Sequence, residues 1–174
     1  MSWSDFYRRR EAINAVLAQA EHEPDGPLPF EDIPQATEEF ANREELLLAM
    51  QHRWSQLLTG KVAVTLDEAE HDPHVDGVEA VAHGWRELAE QEPVLRRVLD
   101  VHGAHAGDAL REAIDREQRM LALASGLAEP FEEIDEVTRT GAAYAALIRS
   151  TPQKSTARHE NSFARLLGRL IPSA

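Results

Sequence analysis

No cysteine occurs anywhere in the chain. Disulfides, thiolate metal sites, iron–sulfur clusters and cysteine nucleophiles are thereby excluded. Aromatic residues are scarce, 6% against 43% hydrophobic residues in all, so Leu, Ala, Val and Ile have to fill the core. Cores of that kind are common in helix bundles. No stretch approaches the roughly 18 to 20 apolar residues of a membrane span, and the first thirteen residues, MSWSDFYRRREAI, hold no apolar signal-like region. A cytoplasmic protein without a membrane partner is the expectation. The chain also has no G-x-G-x-x-G, no phosphate loop and no G-x-S-x-G elbow. With no nucleophile placed beside a base by any motif, neither enzyme activity nor a cofactor is expected.

Positive charge is short as well. The 174 residues carry 31 acids and 18 lysines and arginines, a formal net charge of -13. The deficit is uneven: residues 1–60 hold eleven acids and five bases, and residues 61–137 hold nineteen and seven. Residues 138–174 hold one acid, Glu160, and six bases. Such a body repels a phosphate backbone, and the basic tail is expected to lie against it.

What is present is helical periodicity. Helix one is expected over Ser4–His22, with Ser4 as cap and Phe6, Ile13, Leu17 and Ala20 on its inner face. Three prolines and a glycine in Glu23–Pro29 break it. Phe30–Pro34 reads as a single turn ended by Pro34. A long helix starts near Asn42, where Asn42 and Glu45 form a capping-box pattern. Gly60 is a candidate bend or end of this helix. The alternation Val62, Val64, Leu66 is strand-like, but its context is helical. His71–Gly77 is a turn. Further helices carry Val78 to Leu88, Leu95 to Leu99, and about Gly107–Ser125, stopped by Gly126. Another comes after Pro130. The fold class is therefore all-α, a helical bundle. Residues 1–150 form one domain, with 1–41 as its N-terminal part and 42–150 as the bundle. Residues 151–159 read as a linker, and 160–174 as an amphipathic helix holding Phe163, Leu166, Leu167 and Leu170.

The order of features resembles the TetR family of bacterial regulators. The basic start Arg8-Arg9-Arg10-Glu11-Ala12-Ile13, the short Phe30–Ile33 segment and the run Phe40-Ala41-Asn42-Arg43-Glu44-Glu45-Leu46-Leu47-Leu48 carry the likeness. So do Glu92–Leu99 and Ala109–Asp115, which look like that family's C-terminal domain. The resemblance covers residues 8–150 and implies a homodimer that acts through a small apolar ligand or a protein partner. One departure matters: only PQATEE separates Ile33 from Phe40. A turn and a recognition helix need roughly ten residues more. The resemblance thus implies a sensor or dimerisation domain whose helix-turn-helix is lost. The alternative is a DNA-binding regulator with an abridged reading head, contacting phosphates through Arg8–Arg10 or the tail.

Candidate sites rest on residue type. Met50, Trp54, Trp85, Met120, Phe131 and Tyr144 fall on apolar faces and are candidates for lining a ligand pocket, with Gln51, His52, His83 and Arg86 as polar contacts. Ordinary core is the competing reading for each. The small residues Gly141, Ala142, Ala145 and Ala146, with Ile148, permit a close helix–helix seam, within the chain or at a dimer interface. His71, His74, His102 and His105 have the chemistry to bind zinc or iron, the basis of a second alternative, a metal-binding bundle. Without an HExxH or paired ExxH pattern, solvated histidines are the preferred reading. Glu132-Glu133 and Asp135-Glu136 read as a solvated face near a helix start rather than as an acid–base pair.

Overall fold

A computed structural model describes residues 3–71, 75–103 and 107–151. They form seven helices: α1 (Trp3–Ala20), α2 (Pro34–Glu39), α3 (Arg43–Glu70), α4 (Gly77–Gln91), α5 (Pro93–His102), α6 (Asp108–Ala124) and α7 (Ile134–Ser150). The described residues contain no strand, and none of their helices is long and apolar enough to cross a membrane. The expected linker beyond Thr151 and the C-terminal amphipathic helix lie outside the described residues.

Local chemistry explains most boundaries. Asn42 Oδ1 accepts the Glu45 N–H at 2.9 Å, satisfying a donor that the first turn of α3 leaves free. Glu45 reaches back to the Ala41 N–H at 2.8 Å, one residue upstream of the donor that the usual capping box engages. Asp76 caps α4 through the Glu79 N–H at 2.8 Å. At the end of α6, Gly126 takes φ 73°. The Leu127 N–H then bonds to the Ala122 carbonyl at 3.0 Å and the Gly126 N–H to Leu123 at 3.2 Å. That paired closure is a Schellman cap, and a left-handed residue at its turn favours glycine.

Two expected boundaries are corrected. Pro34 does not end a turn; it opens α2, where its missing N–H costs nothing because first-turn donors have no helical partner. Nor does Gly60 end α3, which continues to Glu70. Val62, Val64 and Leu66 accordingly belong to a helix. At 28 residues, α3 is about 42 Å long at 1.5 Å per residue.

Helix α3 is the spine. It packs on α4, α5 and α6, while α7 lies along α6 and α1 packs on α2 and α5. One core cluster draws on all seven helices, including Val16, Ala36, Leu46, Leu58, Val81, Leu95, Leu110, Leu121 and Ile148. Two glycines set the closest seams. A Cβ on Gly141 would stand 1.9 Å from the Gln118 carbonyl oxygen, and one on Gly84 would stand 2.8 Å from Thr65 Oγ1. At Gly141 the near atom is helix backbone, which only glycine lets approach so closely; at Gly84 it is the Thr65 side chain.

Candidate functional site

Four of the expected pocket residues are core. Met50 and Trp54 are fully buried, and Trp85 and Tyr144 nearly so. Trp54 and Trp85 meet edge to face, with ring centroids 5.8 Å apart, an arrangement that suits the aromatic quadrupole. Met120 is half-buried against the same cluster. His83 stands at the surface of α4, its Nε2 3.6 Å from Glu87. Phe131 is 86% exposed, so it lines no interior.

Around Trp54 the core is polar. Glu117 is buried on α6 and accepts from Trp54 Nε1 at 3.2 Å and from Gln51 Nε2. Arg96 lies over the Trp54 ring at 4.8 Å and pairs with Asp100 at 2.9 Å. Arg149 approaches Asp100 at 3.7 Å and the Trp85 ring at 5.8 Å. This network joins α3, α4, α5, α6 and α7. Glu117 answers its two donors, whereas Trp85 Nε1 and the Arg96 Nε and Nη1 atoms are buried without a hydrogen-bond partner among the described residues.

The stripe expected at a dimer interface is largely internal. Gly141, Ala145 and Ile148 are buried within the chain, where α7 closes on α6 and the core. Ala142 is half-buried and Ala146 exposed. Leu123, Leu127, Phe131 and Ile134, in contrast, are exposed around the α6–α7 turn, Phe131 and Ile134 most of all.

Of the four histidines considered as ligands, His74 and His105 lie outside the described residues. His71 caps α3, its Nδ1 2.8 Å from the Asp67 carbonyl oxygen, and His102 ends α5. Asp76 is occupied as the cap of α4. Among the described residues no group of three His, Asp or Glu is placed to hold a metal ion.

Two of the three N-terminal arginines pair with acids of the same chain. Arg8 pairs with Glu39 at 2.6 Å and Asp5 at 2.8 Å. Arg9 pairs with Glu45 at 2.8 Å and stacks over Phe40 at 4.4 Å. The Ala41 N–H and then Arg9 hold the Glu45 carboxyl below its usual range. Between α1 and α3 there is one six-residue helix, α2, and two of its residues are Glu38 and Glu39.

The concave feature of this region is a groove of about 680 Å³ between α1 and α3, with Glu92 also in its lining. Two helical faces form it. Phe6, Arg9, Arg10 and Ile13 come from α1, and Ala49, His52, Arg53, Gln56 and Leu57 from α3. Each set runs in steps of three and four residues, the spacing of a single helix face. Polar pairs bridge the helices: Arg9 to Glu45, and Arg53 Nη1 to Asn14 Oδ1 at 2.6 Å. Arg53 also meets Glu92 at 3.3 Å. Phe6, expected on the inner face, is instead half-exposed at the groove. Of the ten lining residues, only His52 is a ligand contact expected from the sequence. The available signal is the pair of mixed apolar and cationic faces, which no motif marks. No family model, no curated protein and no solved structure matches the chain.

Proposed function

We propose that this chain is a helical sensor or regulatory domain. In this reading it takes a small amphipathic molecule in the α1/α3 groove, acts as a homodimer and does not read DNA. The observation that carries the reading is the groove itself. Its volume falls within the roughly 300–1,000 Å³ of small-molecule sites, and its walls combine apolar side chains with a few polar heads. The binding surface thus moves from the bundle interior, where Trp54 and Trp85 fill the space, to the junction of the N-terminal helix with the spine.

The resemblance to a TetR regulator without its reading head agrees with two features. A single six-residue helix stands where a turn and recognition helix would be needed. Arg8 and Arg9, two of the three N-terminal arginines an abridged head would offer to phosphates, are paired with acids of the same chain.

Native mass spectrometry of the untagged full chain tests the reading, together with a DNA-binding titration at low salt. The expected result is a dimer, with or without extra organic mass, and no DNA complex. A tight, salt-sensitive DNA complex would contradict it.

A further inference from the structure

We infer that the groove ligand carries an anionic head on a single apolar tail, a carboxylate-headed amphiphile. This rests on the groove being the binding site. The chain has 31 acids for 18 basic residues, and most arginines of the described helices meet a carboxylate, as Arg8, Arg43, Arg97 and Arg116 do. The groove reverses that balance. Three guanidinium groups line it against one carboxylate, Glu92.

The three are not equally engaged. Arg9 is held by Glu45, and Arg53 is divided between Asn14 and Glu92. Arg10 is exposed and meets no acid among the described residues, and neither does His52. An arginine left open on an acidic protein offers a fork of donors to a carboxylate. Beside it, Phe6, Ile13 and Leu57 present apolar surface, with Phe6 and Leu57 still partly exposed to water. Covering them is favourable in proportion to the area removed from water. A head at Arg10 with a tail along Phe6 and Leu57 satisfies both demands at once. A cationic amphiphile would meet repulsion, and a neutral one would leave Arg10 unanswered.

Calorimetric titration of the full chain with decanoate, decanol and decyltrimethylammonium tests this. Decanoate is expected to bind saturably and about tenfold tighter than decanol, a difference of about 1.4 kcal/mol, with decyltrimethylammonium weakest. Arg10→Ala, on an exposed helical position, should weaken decanoate by about tenfold and leave decanol unchanged. Leu57→Glu should remove both. Circular dichroism confirms that each variant is folded. Equal binding of decanoate and decanol, both lost in Leu57→Glu, would overturn the anionic head and leave the groove standing. No saturable binding by any probe, or binding indifferent to Leu57→Glu, would overturn the groove reading and this inference together.

Discussion

Gly141 of α7 lies so close to Gln118 of α6 that a Cβ there would stand 1.9 Å from the Gln118 carbonyl oxygen. That carbonyl belongs to helix backbone and cannot turn aside. Gly141→Ala should force the helices apart and cost about 3 kcal/mol, the upper part of the range for overpacking. Gly60 is the opposite case. A Cβ there meets nothing within 4 Å, so Gly60→Ala should stabilise α3 by about 0.5–1 kcal/mol through propensity alone. Urea unfolding of the two variants measures both. A neutral Gly141→Ala would refute the seam.

Glu117 anchors the polar core through Trp54 and Gln51. Glu117→Ala leaves the buried Trp54 Nε1 without an acceptor and Gln51 Nε2 with only the long contact to Ser55 Oγ, and it opens a void, at an expected cost of about 3 kcal/mol. Glu117→Gln keeps an acceptor oxygen and should cost less. Trp54 fluorescence should shift in the alanine variant. A stability change in Glu117→Ala below about 1 kcal/mol would place these hydrogen bonds among the dispensable ones.

Tyr144 donates its hydroxyl proton to the Val78 carbonyl, and burial pushes its pKa up from 10.0 to about 12. The folded chain therefore holds this proton after the unfolded chain has released it. Its stabilising contribution is complete below about pH 10 and is lost as pH rises through about 12. Tyr144→Phe should be less stable at neutral pH by about 1 kcal/mol, for the lost hydrogen bond, and should lose less stability on going alkaline. Unfolding midpoints measured across that pH range check the sign. Parallel pH profiles for the two proteins would contradict it.

If the chain dimerises as proposed, the exposed α6–α7 turn is the better surface, because Gly141, Ala145 and Ile148 are already covered. Phe131→Glu with Ile134→Glu should yield a folded monomer in sedimentation analysis, whereas Ala146→Glu should remain dimeric. The reverse pattern would restore the α7 stripe as the interface.

The sequence is most informative where periodicity and caps coincide. The α3 start at Asn42, the Gly126 stop and the break before Pro93 all come from the chemistry of single residues. It is least informative where a residue's meaning depends on a distant partner. Pro34 suits the first turn of a helix and the end of a turn equally well, and the packing of Ala36 into the core decides for the helix. The small residues of α7 suit any close neighbour, and only the fold shows that the neighbour at Gly141 is Gln118. Trp54 and Trp85 suit ordinary core on their own and a pocket only through the family resemblance, and their edge-to-face contact inside the bundle places both in the core. The groove is hidden for the same reason: its two faces lie some forty residues apart in sequence, and neither is a motif alone.

The most direct test of the groove is an NMR titration of the isotope-labelled full chain with decanoate, with backbone amide shifts as the readout. Saturable changes confined to residues 6–13 of α1, 49–57 of α3 and Glu92 are expected. Changes centred instead on Trp85, Met120 and Tyr144, or none at all, would contradict the groove as the binding site.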